Sequence, residues 1–533
     1  MRQATPQPRT LRPLLLAALL TALAGCAAAP SSTPRDAAPA PVAVAAPPVA
    51  PVATSTLREV NPVPASVNEL EQRTFQWFWD LTNPKNGLVP DRWPTPAFSS
   101  IAAVGFGLSA YGVGVERGWV ARDAAIDRTL ATLRFFDGAP QGPNATMVTG
   151  YKGFFYHFLD MDTGMRYQNI ELSTVDTTLL LGGVLFAQTY YDRADPREAE
   201  IRALAERIYR RVDWTWAQPR APKITMGYIP GTGMHTHDWA GFNEAQIVYI
   251  LALGSPTHPV DKTAYDAWVS TYDKTWGTFY GQEHLTFPPM FGHQYSLVWL
   301  DLKGLQDDYM RGKGIDYFEN SRRATYSQQA YAIANPGDWK GYGADMFGLT
   351  ASDGPADAKV MFRGKERQLH TYTARGAALE YTLDDGTLVP TAAIGSLPFA
   401  PEIVLPVIEA MRTRYPQAYT KYGFKDAFNP SLGETDLKPK YGSIVDGVWV
   451  DVDYLGIDQG PIVLMIENYR SGFVWNTMRR NPHIVRGLKR AGFTGGWLDT
   501  ASPAADIASR SGFSRDNPGN SRDAVAAKAA PTR

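Results

Sequence analysis

The sequence predicts an all-α fold, arranged as a toroid in which outer helices surround inner ones. Segments that are apolar on nearly every face, at 175–191 and 240–253, alternate with amphipathic segments at 121–136 and 197–215. A helix that is apolar all round is buried, whereas an amphipathic helix faces solvent along one side. Long loops rich in glycine, proline and aromatic residues join these segments. This pattern favours helical hairpins packed in a ring.

The individual helices are predicted from their caps and from the spacing of their apolar residues. Ser66-Val67-Asn68-Glu69 has the pattern of a capping box and predicts a helix that continues through Trp79. In the segment 121–136, apolar side chains recur at helical spacing and form one face, which consists of Ala125, Ile126, Leu130, Leu133 and Phe136. Further helices of the same kind are predicted at 402–415, 461–475 and 482–492.

A short β-rich insertion is predicted at about 359–390. Val360-Met361-Phe362 and the segment 368–373 have the composition of strands, and Asp384-Asp385-Gly386 has that of a turn. Two domain organisations fit this pattern. We favour a single α-domain that carries the insertion, and the alternative is an α-domain followed by a small β-domain.

Residues 1–26 have the pattern of a lipoprotein signal peptide. An apolar run follows arginines at positions 2, 9 and 12, and it is too short to span a bilayer. It ends in Leu23-Ala24-Gly25-Cys26, which resembles a lipobox, so we expect Cys26 to be lipidated. The alternative is an ordinary signal peptide with a chance cysteine. Because Ala27 follows rather than aspartate, we expect anchoring to the outer membrane, with the domain in the periplasm or at the cell surface.

Composition divides the rest of the chain into three parts. Residues 27–58 are mainly alanine, proline, valine and serine, which is typical of a flexible tether. Residues 59–500 contain the helical patterns and form the predicted folded domain. Residues 501–533 have no periodic apolar face, so a disordered tail is predicted there.

Charge and cysteine content exclude several classes of function. The chain has 52 basic and 53 acidic residues and no basic stripe, which argues against nucleic-acid binding. Cys26 is the only cysteine, so a lipidated chain has no disulfide, thiolate metal site or cysteine nucleophile. The 14 Trp, 26 Tyr and 23 Phe residues modestly favour a carbohydrate ligand, because aromatic rings stack on sugars; a large core also uses such residues.

Histidine and glycine motifs do not indicate a metal or a cofactor. His235 and His237 lie beside Asp238 and form the tightest group of candidate ligands, but the sequence shows no third ligand group for a metal. The chain lacks the HExxH, P-loop and GxSxG patterns. We therefore predict no metal and no cofactor.

Two carboxylates at the starts of apolar helices are candidates for acid–base chemistry. Glu244 is placed in the first turn of the helix predicted at 240–253, where burial would raise its pKa as a general acid requires. The helix dipole could instead satisfy this carboxylate. Asp176 is the second candidate, although Ser173-Thr-Val-Asp176 is also a capping box and could simply begin a helix.

Asp458 is the third candidate, because it directly precedes the helix predicted from Pro461. There the helix dipole would keep Asp458 ionised, as a general base requires, or Asp458 could be only a cap. Glu467 and Arg470 are predicted to form a structural ion pair inside the toroid. One protonated and one ionised carboxylate across a cleft is the arrangement that glycoside hydrolysis requires.

Five segments resemble the glucoamylase-like family. They are GYGADMFGLTASDGP at 341–355, DGTLVPTAAIGSLPFAPE at 385–402, YLGIDQGPI at 454–462, FNEA at 242–245 and QYSLVWLD at 294–301. The resemblance runs from about residue 70 to 497. Members of this family are similar to glycoside hydrolase family 144, which acts on β-1,2-glucans, and related domains act as transglycosylases in cyclic glucan synthases. The family name describes a fold and does not establish starch as the substrate.

The resemblance implies an (α/α)6 barrel that works without a metal and by inversion. It places Glu244 where the family has its general acid, and Asp176 and Asp458 at the other acidic positions of the cleft, either of which could activate water. Plausible sugar contacts are Trp239, Tyr295, Trp299, Asp353 and Glu171. The expected partners are a glucan and, through the lipid anchor, a membrane; nucleic acid is not expected, and the protein is expected to be a monomer.

Two other functions remain open at this point. A polysaccharide lyase on a similar toroid would need a Tyr or His base and a cation near a uronate, and the acidic, arginine-poor motifs argue against it. A lipid-anchored glycan-binding protein without catalysis would leave Glu244 without a role. The run of family motifs favours a hydrolase over both.

Overall fold

The structure, a computed structural model, describes residues 57–501. The signal peptide with Cys26, nearly all of the tether at 27–58 and the tail after residue 501 therefore lie outside the described residues. Within 57–501, no helix combines the length and the apolar character that a membrane crossing requires.

Helices make up most of the regular structure in this part of the chain. They are α1 (Ala65–Leu81), α2 (Ile101–Glu116), α3 (Arg122–Gly138), α4 (Thr174–Tyr190), α5 (Pro196–Arg210), α6 (Gln246–Gly254), α7 (Lys262–Val269), α8 (Tyr295–Trp299), α9 (Asp308–Lys313), α10 (Tyr317–Ala334), α11 (Pro390–Ile394), α12 (Pro401–Arg414), α13 (Gly456–Arg470), α14 (Phe473–Met478), α15 (Pro482–Ala491) and α16 (Gly496–Thr500).

Short strands between the helices form antiparallel sheets of two or three strands. They are β1 (Arg92–Trp93), β2 (Ser99–Ser100), β3 (Gly150–Tyr151), β4 (Phe154–Phe155), β5 (Phe158–Leu159), β6 (Leu172–Ser173), β7 (Gly227–Ile229), β8 (Gly233–Met234), β9 (Trp276–Phe279), β10 (Gln282–Leu285), β11 (Ala351–Ser352), β12 (Ala358–Phe362), β13 (Lys365–Leu369), β14 (Thr373–Ala374), β15 (Gly376–Ala377), β16 (Thr382–Leu383), β17 (Tyr419–Thr420), β18 (Gly423–Phe424), β19 (Phe428–Asn429), β20 (Ser443–Val445), β21 (Val448–Val450) and β22 (Tyr454–Leu455). The prediction of a mostly helical fold is confirmed, but strands are far more widespread than the one predicted insertion.

Apolar periodicity predicted the amphipathic helices well. The helix expected at 121–136 is α3, and its five predicted face residues are all buried. The helix expected to be apolar all round at 175–191 is α4, which is buried along nearly its whole length. The capping box proposed at Ser66 is wrong, because α1 already begins at Ala65 after Pro64 and has no side-chain cap.

Two helices begin at residues other than those predicted, and the differences affect the positions of Glu244 and Asp458. The helix expected at 240–253 begins only at Gln246, so Glu244 lies in the turn that precedes α6 rather than in its first turn. The helix expected at 461–475 consists of α13 and α14, separated at Gly472, which has a φ of 68°. Because α13 begins at Gly456, Asp458 lies within its first turn rather than before it.

Helix α2 was not predicted, because its sequence contains four glycines and has no polar face. The structure explains one of these glycines, Gly105, by a close crossing of α2 and α4 in which Gly183 of α4 also takes part. A Cβ added at Gly105 would lie 2.1 Å from the carbonyl oxygen of Leu179, and one added at Gly183 would lie 2.1 Å from that of Gly105. The two backbones therefore touch, and this contact sets the position of α4 in the core.

The β-rich insertion is present as the hairpin of β12 and β13, followed by short strands up to Leu383. The hairpin packs on the rest of the molecule, because Val360 and Leu369 are buried in one apolar cluster with Val389 and Trp449. The predicted turn at Asp384-Asp385-Gly386 is found, with Gly386 at a φ of 82°.

Glu467 and Arg470 do not pair with each other as predicted. The Glu467 carboxylate accepts two bonds from the Arg117 guanidinium, at 2.6 and 2.8 Å. Arg470 donates to Glu71 at 2.5 Å and also contacts Glu59. These five residues form a largely buried ion network that joins α1, α2 and α13. The two side chains lie three residues apart on α13 and bond to different neighbouring elements.

Candidate active site

Several helix starts meet at one cavity with a volume of about 140 Å³. Its walls include residues from the start of α4, the turn before α6, the start of α8 and the start of α13. The lining residues are His157, Glu171, Ser173, Val175, Asp176, Leu179, Met226, His235, Trp239, Glu244, Phe287, Phe291, Tyr295, Ala351, Tyr372 and Ile457. The expectation that carboxylates at helix starts share one cleft is confirmed for Asp176 and Glu244.

Glu244 presents its carboxyl group to this cavity. Its backbone carbonyl accepts a bond from the Ser296 hydroxyl at 2.6 Å, which holds the turn before α6. Its Oε2 atom is buried and has no hydrogen-bond partner among the described residues. Burial raises the pKa of Glu244 to about 7, and the charge of Asp176 acts in the same direction. Glu244 is therefore about half protonated at neutral pH and carries its proton below that pH.

Asp176 lies at the start of α4 and is held by its own helix cap. The Asp176 backbone N–H donates to Ser173 Oγ at 3.2 Å, and the Ser173 hydroxyl donates to Asp176 Oδ2 at 2.5 Å. Ser173 therefore caps α4 as predicted, but the Asp176 carboxylate bonds to the Ser173 hydroxyl rather than to the Ser173 backbone N–H, so only half of the predicted capping box forms. Asp176 also faces the cavity, so its capping contact and its exposure to a ligand are compatible.

His157 bridges Asp176 and a second carboxylate of the cavity, Glu171. Its Nδ1 lies 2.8 Å from Glu171 Oε1, and its Nε2 lies 3.4 Å from Asp176 Oδ1. Burial alone would lower the pKa of His157, but the charges of Asp176 and Glu171 raise it to about 9. Burial would raise the pKa of Glu171, and the His157 charge outweighs it, so that pKa is lowered.

Asp458 is not among the residues that line the cavity, although its neighbour Ile457 is. The side chain is 3% exposed, and burial raises its pKa to about 7, against hydrogen bonds from Asp426 and from the Tyr295 hydroxyl. The prediction that a helix dipole keeps Asp458 ionised is wrong in direction. The reason is that removal from water outweighs the dipole at this depth.

A group of aspartates, which we call the acidic cluster, lies next to Asp458 and consists of Asp353, Asp426 and Asp451. Carboxylate oxygens of these three residues lie within 4.8 Å of one another, a spacing that could hold a cation. Arg92 donates to Asp353 at 2.6 Å, and burial raises the pKa of Asp426 and of Asp451 well above the usual range. Arg92 and retained protons thus reduce the negative charge of the cluster.

The H-x-H pair near residue 235 is not gathered into a metal site in the described chain. His235 lines the cavity, whereas the adjacent His237 is exposed. Asp238 pairs instead with Arg220 at 2.6 Å.

The predicted sugar contacts divide into three groups. Trp239, Tyr295 and Glu171 line the cavity as expected. Asp353 lies outside the lining, in the acidic cluster. Trp299 is wrong as a sugar contact, because it is fully buried, stacks on Phe106 at 4.9 Å and donates its Nε1–H to Ser109. It belongs to the core between α2 and α8.

Sequence reasoning missed three features of the site. His157 belongs to no motif, and its meaning depends on Glu171 and Asp176, which only the fold places beside it. Arg92 approaches the acidic cluster because β1 pairs with β22, far away along the chain. The aromatic wall formed by Phe287, Phe291 and Tyr295 was recognised only in its last member. Phe291 stacks on Tyr295 with ring centroids 5.3 Å apart, and Phe287 meets Phe291 edge to face at 5.7 Å.

Residues 236–482 match the model of the family described as "Putative glucoamylase". The crystal structure of a "putative glucoamylase" from Bacteroides uniformis is 30% identical in sequence and superposes with a TM-score of 0.69. The match covers 81% of this chain and 98% of that one. The chain belongs to this glucoamylase family.

Two relatives of this glucoamylase-family protein have a described activity. An endo-β-1,2-glucanase from Chitinophaga pinensis, in complex with sophorotriose and glucose, is 27% identical, with a TM-score of 0.69 over 81% of this chain and 99% of that one. An exo-β-1,2-glucooligosaccharide sophorohydrolase from Parabacteroides distasonis is 27% identical over 458 residues, which cover 79% of this chain. The chain spans 57% of the length of that relative.

Proposed function

We propose that this glucoamylase-family protein is a glycoside hydrolase that cleaves β-1,2-glucan. The observation that carries the proposal is a single cavity in which Glu244 has no charged partner and Asp176 contacts a cationic His157. Burial raises the pKa of Asp176, and the positive charge of His157 acts against that rise and favours the ionised form. The cavity thus offers a proton donor and a carboxylate that a cation helps to ionise, the two groups that glycosidic cleavage requires. The β-1,2-glucan activity described for two relatives supports the choice of linkage.

In the proposed reaction, Glu244 protonates the oxygen of the glycosidic bond as that bond breaks. Asp176 takes a proton from a water molecule, whose oxygen attacks the anomeric carbon from the opposite face. We favour Asp176 over Asp458 as the base, because Asp176 lines the same cavity as Glu244 whereas Asp458 is not part of the lining. The aromatic wall of Phe287, Phe291 and Tyr295 offers faces on which a sugar ring can stack.

We also propose that the helices close into an (α/α)6 barrel with the cavity at one end of its axis. The alternation of buried and amphipathic helices and the meeting of four helix starts at one cavity support this arrangement. A crystal structure with fewer than six inner helices around the cavity would contradict it.

The proposal is tested by incubating the purified protein with linear β-1,2-glucan and measuring new reducing ends. We expect cleavage of this glucan and none of α-1,4-glucan, which serves as the matched control polymer. NMR of the first product distinguishes the stereochemistry, since inversion of a β-linkage releases an α-anomer. Binding of the glucan without any release of reducing ends would contradict the proposal in favour of a glycan-binding protein.

Comparison of two variants tests the choice of base. Asp176→Asn is expected to lower kcat by about 10²- to 10⁴-fold, as loss of a general base does, while Asp458→Asn is expected to cost less. Both changes keep the shape of the side chain, so circular dichroism should show a folded protein in each case. A larger loss in Asp458→Asn than in Asp176→Asn would reverse the assignment.

We further propose that a lipid on Cys26 anchors the protein to the outer membrane. The lipobox-like sequence that ends at Cys26 and the proline-rich segment after it support this location. In cells, Cys26→Ser is expected to move the protein from the membrane fraction to the soluble fraction and to abolish labelling with radioactive palmitate. Unchanged membrane association in this variant would count against a lipid anchor.

A further inference from the structure

His157 occupies a fixed position in the wall of the cavity. Its backbone N–H donates to the carbonyl oxygen of Glu171 at 3.0 Å, and its own carbonyl accepts from the N–H of Ile101, where α2 begins. The imidazole ring stacks on Phe158, with ring centroids 3.9 Å apart. Backbone and ring contacts thus hold the imidazole between two carboxylates.

The charges around His157 are strongly biased towards negative. Glu171, which directly precedes β6, and Asp176 on α4 contact its two ring nitrogens. Asp91, next to β1, adds a third negative charge. The charges of His235 and Arg166 also interact with the carboxylate of Glu171. Burial lowers the pKa of His235, so it adds little positive charge to the cavity near neutral pH.

The three carboxylates of the cavity differ in their access to this cation. Glu171 and Asp176 each lie within 3.4 Å of an imidazole nitrogen. Glu244 has no ion pair with His157, and its Oε2 atom has no partner among the described residues. Burial raises the pKa of Asp176, and the charge of His157 is the largest influence that opposes this rise. Because a charge interaction weakens with distance, the cation favours ionisation of its two neighbours far more than that of Glu244.

We propose that His157 is a positioning residue whose imidazolium holds Asp176 ionised and oriented, so that Asp176 becomes the base while Glu244 remains the proton donor. In this proposal the imidazolium of His157 keeps its two neighbours, Glu171 and Asp176, ionised, while Glu244 stays protonated. The catalytic consequence rests on the proposed glucan hydrolysis, whereas the protonation states themselves do not depend on it.

Titration of the purified full chain tests the protonation states directly. With ¹⁵N-labelled histidine, the His157 ring is expected to stay protonated up to about pH 9. With ¹³C-labelled aspartate carboxyl groups, the Asp176 signal can be assigned from its loss in Asp176→Asn. In His157→Gln the acid dissociation constant of Asp176 is expected to fall at least about tenfold, because one positive charge at 3.4 Å is removed.

Kinetics supply the second measurement, with His258→Gln as a matched change of a histidine outside the cavity lining. In His157→Gln, kcat on β-1,2-glucan is expected to fall with little change in KM, and the acidic limb of the pH profile is expected to move to higher pH. The His258→Gln profile should match the wild type. A histidine that only supports the fold would lower activity without moving this limb.

The outcomes separate this proposal from the proposed function. If the wild type does not cleave the glucan, the proposed function fails, and the two titrations still decide the state of His157 and Asp176. A His157 ring that loses its proton near pH 6.5 in the wild type overturns the proposal, even if the variant does not fold. An unchanged Asp176 titration in a folded His157→Gln protein overturns it as well.

Discussion

Glu244→Gln is expected to lower kcat for β-1,2-glucan hydrolysis by about 10²- to 10⁴-fold, with KM nearly unchanged. Glutamine keeps the size and shape of the side chain but cannot deliver a proton to the departing oxygen. Because the pKa of Glu244 is about 7, wild-type kcat should fall as pH rises through that value and the proton donor is lost. Initial rates of reducing-end release between pH 4 and 9 measure both effects.

Two controls distinguish loss of the proton donor from general damage. Glu283→Gln makes the same change at an exposed position and is expected to leave the profile unaltered. A dinitrophenyl β-glycoside needs little proton donation, because dinitrophenolate is a stable leaving group. The Glu244→Gln protein should therefore recover much of its activity on that substrate. Equal losses on the glucan and on the aryl glycoside would show that Glu244 is not the acid.

Glu467→Ala is expected to reduce the free energy of unfolding by about 3–5 kcal/mol, the usual cost of leaving a buried charge without its partner. The Glu467 carboxylate is fully buried and accepts two bonds from Arg117, at 2.6 and 2.8 Å. Without it, Glu59, which is partly exposed, is the one carboxylate of residues 57–501 that still forms an ion pair with the Arg117 guanidinium. Urea unfolding followed by tryptophan fluorescence measures the change.

Glu200→Ala is the matched control for this stability experiment. Glu200 also accepts two bonds from one arginine, with Arg134 contacts of 2.7 and 2.7 Å, but both side chains are largely exposed. We expect a loss of less than about 1 kcal/mol there, because water screens the charges and solvates the arginine that remains. Similar losses in the two variants would mean that burial does not decide the strength of these pairs.

Sequence patterns predicted the elements whose stability depends on local spacing. Helix α3 has one apolar face and α4 is apolar all round, so each is visible in the order of its residues alone. Helix α2 was missed for the opposite reason. Its glycines lower helix propensity, and only the fold explains them: Gly105 lies against the backbone of α4, whereas Gly112 and Gly114 lie against the rings of Phe186 and Phe75.

Sequence analysis placed correctly those site residues whose position follows from the start of a helix. Glu244 and Asp176 precede or begin apolar helices, and both line the cavity. The roles of Asp458 and Trp299 depend instead on their depth in the fold. Burial raises the pKa of Asp458, and it places Trp299 in the core. A local sequence pattern does not indicate how deeply a side chain is buried. It also does not predict that His157 contacts Asp176.

The contact between Gly105 and Gly183 makes the geometry of catalysis sensitive to substitutions in the interior. Gly183 lies seven residues after Asp176 on the same helix, about 10 Å along its axis. Any side chain at Gly105 or Gly183 must separate the two helices, and a rigid helix carries that displacement to its first turn. Inherited changes at either glycine are then expected to alter the geometry of the cavity, although neither glycine lines it.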